Sequence, residues 1–317
     1  MHLYAGVDGG GTKTLAVVVD AQGREVGRGQ AAGSNCQTVG ISEAARQVAL
    51  ALAAATAPAI LPNLALAGLC IGLAGVDRPA DRTAMFTALS GLNLAEPGKI
   101  WLGNDAELIL GEVGLGLIAG TGSIALGRDH TGHLVRAGGW GHLIGDEGSG
   151  YDLGRRAVQA AVRASDGRGP PTALLAAILR EWNLSEPTQL IGIVYSPTTK
   201  VADFARLTRL VSVAASADDL VAQKLLSHAA AELAKAVEAV AARLDFSPTP
   251  PNLALAGGLL LSEPRLRRPL LKRLRRTIGI GLVSKVREPA LNAAYNALRL
   301  FGNASQIQAG KLADSPL

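Results

Sequence analysis

The hydrophobic pattern near the start of the chain describes two apolar strands joined by a polar turn. In GVDGGGTKTLAVVVD (residues 6–20), apolar runs lie on both sides of three consecutive glycines and two threonines. A related segment, LIAGTGSIALGRD, occupies residues 117–129. Each segment reads as a strand, a Gly/Thr turn and a second strand, followed by an Asp-x-x-Gly turn and a third strand. The pattern therefore predicts two copies of one three-stranded meander.

The two copies align without a gap from Gly11 onward when the chain is shifted on itself by 109 residues. The identical positions are Gly11/Gly120, Thr12/Thr121, Ala16/Ala125, Asp20/Asp129, Gly23/Gly132, Val26/Val135 and Gly29/Gly138. Strand-and-turn composition alone can produce seven identities in nineteen positions by chance. Because the turn positions are shared, we interpret the repeat as a duplicated domain.

Alternating helical and apolar segments follow each meander. In the first half, the pattern predicts a helix over 42–56 with Ser42 as its N-cap, a buried strand within 64–75, and a helix from Pro79 to Gly91. The remaining predictions are a strand at KIWLG (99–103), helices over 149–165, 171–182, 200–244, 265–276 and 289–301, and strands at NLALAGG (252–258) and 280–285. This alternation indicates an α/β fold with largely parallel sheets and a domain border near 112–117.

Composition narrows the possible functions. The chain has 317 residues, of which 48% are hydrophobic and 18% charged, as in an ordinary globular protein. Aromatic residues are only 3%, so stacking platforms for bases or sugars are few and a polar ligand must be recognised mainly through hydrogen bonds.

The basic charge is local. The net charge is +5, and seven Lys/Arg lie in RLRRPLLKRLRR (265–276), so the chain without them would carry 5 − 7 = −2. With so few aromatic residues, this stretch is better interpreted as a solvated helix face than as a nucleic-acid site. Cys36 and Cys70 form no metal-binding pattern, the first residues do not form a signal peptide, and no apolar run is long enough to span a membrane. We therefore expect a cytoplasmic protein with neither nucleic-acid nor membrane partners.

The first Gly/Thr turn has the composition of an anion-binding loop. Backbone N–H groups of a glycine-rich turn can converge on an anion because no Cβ blocks the approach. Thr12 and Thr14 would add hydroxyl donors, Lys13 a positive charge, and Asp8 a carboxylate that could hold a cation. The alternative is a tight hairpin in which glycine only supplies positive φ. The second copy favours a polyphosphate that is held by both turns.

Three further segments have polar or glycine residues where a strand ends. Asp105 in GNDAELIL follows a strand, where catalytic residues of parallel sheets often lie, or it caps a helix. Asp146 or Glu147 could bind substrate hydroxyls, or could offset a helix dipole before Ser149. Gly257-Gly258 could let a flat group lie against the backbone, or could form a plain strand-to-helix turn.

The ordered motifs GVDGGGTKT, GNDA, IAGTGSIA, GGWGHLIGDEGSGYDLGRRAV, YSP and LALAGG resemble the N-acetylglucosamine kinase branch of the BadF/BadG/BcrA/BcrD ATPase family. That family belongs to the actin-like, hexokinase-like ATPase superfamily. The resemblance implies two ribonuclease-H-like domains flanking a nucleotide cleft, over 1–114 and 115–288, with helix 289–301 completing the first domain and a tail over 302–317. It also implies ATP and Mg²⁺ as cofactors, a homodimer, and phosphorylation of the 6-hydroxyl of N-acetylglucosamine or glucosamine.

The resemblance also implies roles for individual residues. Asp8 resembles the Mg²⁺-organising aspartate and Asp105 the catalytic base. The residues that resemble the nucleotide-binding positions are Gly10, Gly11, Thr12, Lys13, Thr14, Gly120, Thr121, Gly122, Ser123, Gly257 and Gly258. The residues that resemble sugar-binding positions are Asn35, Asn104, Asp105 and Asp146. The chain departs from some relatives after Asn35, where Cys36 replaces an aromatic residue or a histidine.

Two other classes are weighed against the kinase. An ATPase that activates a radical dehydratase or reductase belongs to the same family, but it carries cluster-binding cysteines in its second domain, and this chain has no cysteine after Cys70. A ROK-type sugar kinase carries a cysteine-rich zinc motif that is absent here.

Overall fold

The computed structural model of the protein describes residues 2–57 and 66–302. The chain forms two compact units, each of which has most of its residue contacts within itself. The first unit is Met1–Gly111 together with Val286–Leu317, and the second unit is Glu112–Lys285. The domain boundaries after residues 114 and 288 stay a prediction. None of the helices in the described residues combines the length and apolar character that a membrane span needs.

The strands are β1 (Leu3–Gly9), β2 (Lys13–Asp20), β3 (Glu25–Ala32), β4 (Gly68–Leu73), β5 (Ile100–Gly103), β6 (Gly114–Ala119), β7 (Ser123–Arg128), β8 (Leu134–Gly138), β9 (Leu253–Ala256) and β10 (Val283–Val286). The helices are α1 (Cys36–Val39), α2 (Ile41–Thr56), α3 (Pro79–Ser90), α4 (Gly150–Ser165), α5 (Leu174–Glu181), α6 (Leu190–Val194), α7 (Val201–Arg206), α8 (Thr208–Ser216), α9 (Leu220–Ala241), α10 (Gly258–Ser262), α11 (Pro264–Thr277) and α12 (Pro289–Phe301). Short 3₁₀ helices cover Asp105–Ile109 and Pro187–Gln189.

The two sheets have the same strand order. Within the described residues, the first is β3-β2-β1-β4-β5 and the second is β8-β7-β6-β9-β10 when read in the same direction. In each sheet an antiparallel three-stranded meander is extended by a strand parallel to its first strand, β4 beside β1 and β9 beside β6. The predicted α/β fold with duplicated sheets is confirmed.

The Asp-x-x-Gly turns of the two copies have the same hydrogen bonds. The Oδ1 atoms of Asp20 and Asp129 each accept the backbone N–H groups two and four residues later, at 2.9 and 2.9 Å for Asp20 and at 2.9 and 3.1 Å for Asp129. Gly23 and Gly132 close the turns at φ 75° and 82°, a conformation that favours glycine. The repeat found in the sequence is therefore a repeat of turn geometry.

The preceding Gly/Thr turns differ by one residue. In the first copy Gly9 pairs with Thr14, so residues 10–13 form the turn, whereas in the second Ala119 pairs with Ser123 and only residues 120–122 do. The alignment with a shift of 109 residues therefore holds from the second strand of each meander onward. In the first strands the equivalent residues, Gly9 of β1 and Ala119 of β6, are 110 positions apart.

Helices cover both faces of the first sheet. Alternate residues of β1 point to opposite faces, so Leu3, Ala5 and Val7 join the core under α2, whereas Tyr4 packs in the cluster formed with α12. A Cβ on Gly6 would lie only 2.1 Å from the carbonyl oxygen of Ala290 in α12. Helix α12, the last one in the part of the chain that the structure describes, therefore packs directly on β1.

Two of the predicted helices need correction. The single helix predicted over 200–244 is wrong, because the chain forms α7, α8 and α9 there. Asp218 has φ 62°, and Asp219 Oδ1 accepts the N–H groups of Val221 and Ala222 at 2.9 Å each, so a new helix begins at Leu220.

The N-cap predicted at Ser42 is also wrong. Gly40, at φ 82°, ends α1 and begins α2, and its N–H donates to the carbonyl oxygen of Cys36 at 3.0 Å. Residues 64–65 of the predicted strand and residues 303–317 of the predicted tail lie outside the described residues.

Candidate active site

Three neighbouring parallel strands of the first unit end at one edge of the sheet. The register places Asp8 of β1 beside Gly72 of β4, and Gly72 beside Gly103 of β5. Asp105 comes two residues after Gly103, which ends β5. The carboxyl ends of adjacent parallel strands are the usual place for binding residues, and here they bring two acidic residues together.

Both carboxylates have raised pKa values. Burial raises the pKa of Asp8 to about 6, the nearby charge of Asp105 adds to the rise, and Lys13 opposes it. Burial also raises the pKa of Asp105, with the charge of Asp77 adding to it, although the backbone N–H of Ala106 stabilises the ionised form. Paired carboxylates with raised pKa values are typical of functional sites, because charge repulsion there is offset by a bound cation or a proton.

The Asp8 carboxylate suits a magnesium ion. Mg²⁺ prefers oxygen ligands and is commonly held by one or two carboxylates, with phosphate and water oxygens completing its shell. Asp8 supplies one such carboxylate, and the charge of Asp105 lies close enough to raise its pKa. Residues 2–57 and 66–302 contain no group of three or more His, Cys, Asp and Glu side chains that could hold a metal ion.

The turn that presents Asp105 is fixed by its neighbours. Asn104 Oδ1 accepts the N–H of Ala106 at 2.9 Å, and Glu107 Oε1 accepts the N–H of Asn104 at 3.0 Å. This reciprocal pair is a capping box. Because Asn104 is the N-cap, the alternative interpretation of Asp105 as the cap is wrong. The Asp105 carboxylate accepts the N–H of Ala106 at 3.0 Å.

Sequence reasoning missed two supports of this turn. Glu107 is buried and receives Arg82 Nη2 on Oε1 at 2.7 Å, so an ion pair anchors the 3₁₀ helix to α3. Asp77 Oδ1 accepts Asn104 Nδ2 at 3.2 Å. The spacing from Asn104 to Glu107 is that of a capping box, so the sequence did contain a signal for the role of Glu107. The role of Asp77 could not be predicted, because it depends on the contact between the loop after β4 and the loop after β5.

Backbone hydrogen bonds fix the first glycine loop (residues 10–13). The N–H of Gly10 donates to the carbonyl oxygen of Lys13 at 3.0 Å, and the N–H of Ser34 donates to that of Gly10 at 2.9 Å. Gly11, Thr12 and Lys13 are exposed. Their backbone and side chains are therefore accessible to a ligand, as predicted for an anion-binding loop.

Thr14 requires a correction. Its side chain is buried, and Oγ1 lies 2.7 Å from the carbonyl oxygen of Ala32 and 2.8 Å from Ser34 Oγ. Because these partners engage the hydroxyl inside the first unit, the expectation that Thr14 offers its hydroxyl to a phosphate is wrong.

In the second unit, the turn over residues 120–122 packs against the start of α4. The N–H groups of Gly150 and Tyr151 donate to the carbonyl oxygens of Gly120 and Thr121 at 2.8 and 3.1 Å. Thr121 is exposed and Gly122 is half-buried, so the tip of the turn can meet a ligand.

Asp146 lies against this turn. It is buried at φ 60°, and its Oδ1 accepts the N–H of Ser123 at 3.0 Å. A Cβ on Gly122 would lie 2.9 Å from the same oxygen, which explains the glycine. The side-chain N-cap of α4 is Ser149, and the alternative role of Asp146 in offsetting that helix dipole stays a prediction. Asp146 belongs to the second unit, whereas Asn35, Asn104 and Asp105 belong to the first.

Ser123 also requires a correction. Its N–H is taken by Asp146, and its Oγ donates to the carbonyl oxygen of Glu147 at 3.0 Å. Both donors of Ser123 are therefore used inside the second unit, and the prediction that they bind nucleotide is wrong.

The glycine pair Gly257-Gly258 lies beside the second turn. Gly257, at φ 91°, is so close to β6 that a Cβ would lie 2.4 Å from the carbonyl oxygen of Ala119, whereas Gly258 is exposed and has open space. Gly120 lies within van der Waals distance of both glycines. The carboxyl ends of β6 and β9 thus form one glycine-lined surface that a flat group could approach.

Asn35 caps the short helix α1. Its Oδ1 accepts the N–H of Gln37 at 3.0 Å and lies next to Gly75, where a Cβ would come within 2.5 Å of it. The Asn35 loop therefore packs on the loop that follows β4, which also contacts Asn104 through Asp77.

The chain is similar to amino-sugar kinases. It is 40% identical over 197 residues to an N-acetylmuramic acid/N-acetylglucosamine kinase of Clostridium acetobutylicum, which covers 61% of this chain and 64% of that relative. It is 30% identical over 313 residues to an N-acetyl-D-glucosamine kinase of Dictyostelium discoideum, covering 94% and 98% of the two chains.

The fold and the family agree with these similarities. A solved structure from Chromobacterium violaceum, provisionally assigned as an N-acetylglucosamine kinase, matches with a TM-score of 0.67 and 29% identity over 95% of this chain and 99% of that one. Residues 5–294 match the model of the BadF/BadG/BcrA/BcrD ATPase family. The predicted resemblance is therefore confirmed, and the chain belongs to the BadF/BadG/BcrA/BcrD ATPase family.

Proposed function

We propose that the protein is a kinase that transfers the γ-phosphoryl group of ATP to the 6-hydroxyl of an amino sugar, N-acetylglucosamine or glucosamine. The observation that carries the proposal is the pair of half-buried carboxylates, Asp8 and Asp105, at one edge of the first sheet. The names of the relatives supply the substrate class, since two of them are N-acetylglucosamine kinases.

Asp105 is the proposed general base. Phosphoryl transfer depends mainly on positioning and on charge neutralisation, so one base that accepts the proton of the attacking hydroxyl is sufficient. A raised pKa suits this role because it brings the carboxylate closer to the working pH. Asn35, Asn104 and Asp146 are the proposed partners of the sugar hydroxyls.

The nucleotide contacts are proposed for both glycine loops. In the first unit these are Gly10, Gly11, Thr12 and Lys13, with Asp8 as the ligand of Mg²⁺. When bound, Mg²⁺ would neutralise charge on the phosphate oxygens. In the second unit the proposed contacts are Gly120, Thr121 and Gly122, with Gly257 and Gly258 on the adenosine side. A homodimer and a cytoplasmic location stay predictions.

The test is ADP release measured with Mg²⁺-ATP across a panel of sugars, with ATP alone as the control. We expect slow release without sugar and much faster release with N-acetylglucosamine or glucosamine. The 6-deoxy analogue of the better substrate should bind but release no ADP above the control. If no sugar in the panel accelerates ADP release, the kinase proposal is wrong; if the 6-deoxy analogue is phosphorylated, the 6-hydroxyl assignment is wrong.

A further inference from the structure

The loop that follows β4 connects two of the proposed sugar-binding residues. At one end, Gly75 packs against Asn35, and its carbonyl oxygen accepts Gln37 Nε2 at 2.9 Å. Two residues later, Asp77 accepts a hydrogen bond from Asn104, the neighbour of Asp105. A sugar that contacts both Asn35 and Asn104 would therefore lie along this loop.

Arg78 is the next residue of the same loop. Its Nη2 donates to Gln37 Oε1 at 2.7 Å and its Nε donates to Asp81 Oδ2 at 2.6 Å. Its side chain is 70% exposed. Within the described residues, Nη1 has no hydrogen-bond partner, so this end of the guanidinium is accessible to an acceptor.

We propose that Arg78 forms a carboxylate subsite, and that the protein accepts amino sugars that bear an acidic ether substituent as well as neutral ones. The inference rests on the proposed kinase function and names its substrate class more closely. Arginine presents several N–H donors in a fork that matches a carboxylate. Gln37 donates its N–H to Asn35 Oδ1 and accepts Arg78 Nη2, so it holds Arg78 next to the Asn35 turn. The kinase of C. acetobutylicum is named for both an acidic and a neutral sugar.

Asp81 competes with such a substrate. It holds Nε of Arg78 and offsets part of its charge, so it weakens the attraction for a second carboxylate. Asp77 and Asp105 also place negative charge near the loop. The subsite therefore adds modest affinity, and removing the Asp81 charge should strengthen it, whereas removing the Arg78 charge should weaken it.

The experiment compares kcat/KM for N-acetylmuramic acid and for N-acetylglucosamine in the full-length protein. Arg78→Gln should lower the ratio of the acidic to the neutral sugar about three- to tenfold, and Asp81→Asn should raise it. Arg46→Gln is the matched control, because Arg46 also pairs with an acid three residues away and is 60% exposed, but lies on α2. That variant should keep the wild-type ratio.

A salt series of the wild-type protein gives a second readout that needs no variant. Screening weakens exposed ion pairs, so the KM for N-acetylmuramic acid should rise with ionic strength more steeply than the KM for N-acetylglucosamine. The subsite proposal is wrong if the wild-type protein phosphorylates N-acetylglucosamine but neither binds nor phosphorylates N-acetylmuramic acid. It is also wrong if the ratio of kcat/KM for the acidic sugar to that for the neutral sugar is the same in all variants. If neither sugar is phosphorylated, the proposed kinase function itself fails.

Discussion

Asp105 is the residue on which the proposed chemistry depends most directly. Asp105→Asn should lower kcat by about 10²- to 10⁴-fold, because an amide cannot accept the proton of the sugar hydroxyl. The fold should persist, since Asn is nearly isosteric with Asp and the turn is capped by Asn104 and Glu107 rather than by Asp105. Turnover, thermal midpoint and the affinities for ATP and sugar measure these effects separately.

Asp166→Asn is the control for that substitution. Asp166 is an exposed acid of the second unit that pairs with Arg168, outside both glycine loops, and the same change there should leave turnover at the wild-type level. Near-wild-type turnover of Asp105→Asn would remove its assignment as the base. If Asp105→Asn instead had a much lower thermal midpoint and bound neither ATP nor sugar, the role of Asp105 would be structural.

At the scale of elements, Asp152 joins the first turn of α4 to the loop that precedes it. This buried carboxylate accepts the N–H of Gly148 at 3.1 Å and is bonded by Arg155 and Arg156 at 3.0 and 2.9 Å. Burial acts to raise its pKa, but the hydrogen bonds from Arg156, Gly148 and Arg155 outweigh it, so the pKa is lowered. Ionised Asp152 therefore stabilises the folded state.

Asp152→Asn should lower the free energy of unfolding by about 1 to 3 kcal/mol at pH 7. A group whose pKa is lowered on folding contributes stability above its unfolded pKa and loses it as the pH falls through the folded one. The difference between wild type and variant should therefore be constant down to about pH 5 and shrink below about pH 4. Denaturant unfolding at a series of pH values measures this difference.

Asp166→Asn also serves as the reference for the pH series, because its solvent-exposed ion pair should contribute little to the free energy of unfolding. A difference between wild type and Asp152→Asn that stays the same from pH 7 to pH 3 would contradict the electrostatic explanation. It would show that Asp152 acts through shape rather than through charge.

At the scale of the whole molecule, the positive charge is concentrated on one face of α11. Its leucines are buried, and five cations point outward: Arg265, Arg268, Lys272, Arg275 and Arg276. In contrast, Arg273 is bound to Glu238 at 2.6 Å. The predicted helix over 265–276 is confirmed, and its amphipathic pattern separates a packed face from a charged one.

We predict that this face binds nucleic acid only weakly and without sequence preference. Five phosphate contacts would give a slope of log affinity against log salt of about −4.5, so binding should be lost near physiological ionic strength. Fluorescence anisotropy with two unrelated DNA duplexes at several salt concentrations measures this slope. Replacing the five cations by glutamine should abolish even the low-salt signal without changing sugar-dependent ADP release.

The outcome that would contradict this prediction is a duplex that stays bound at 150 mM salt or is preferred over the other. Either result would show contacts beyond charge, which the low aromatic content of the chain does not favour.

The sequence by itself determined the features that depend on local pattern. Apolar runs of strand length, turn residues at fixed offsets and a repeat of 109 residues were sufficient for the two meanders and for the repeated Asp-x-x-Gly turns. The positions of Asp8 and Asp105 at strand ends could also be predicted, because a strand that runs into a polar loop identifies its own carboxyl end.

Only the tertiary structure decided how each polar group is used. Thr14 and Ser123 occupy equivalent strand positions directly after the two Gly/Thr turns. Their partners are 18 to 24 residues away along the chain, so no local pattern shows that their donors are already engaged. The contact of Asp146 with the second turn could not be predicted either, because it also joins residues that are far apart along the chain. The break before α9 depends on one residue with positive φ and one side-chain cap inside an otherwise continuous helical pattern. Hydrophobic periodicity specifies which face of an element is buried, whereas hydrogen bonds between distant loops decide which polar atoms remain available to a ligand.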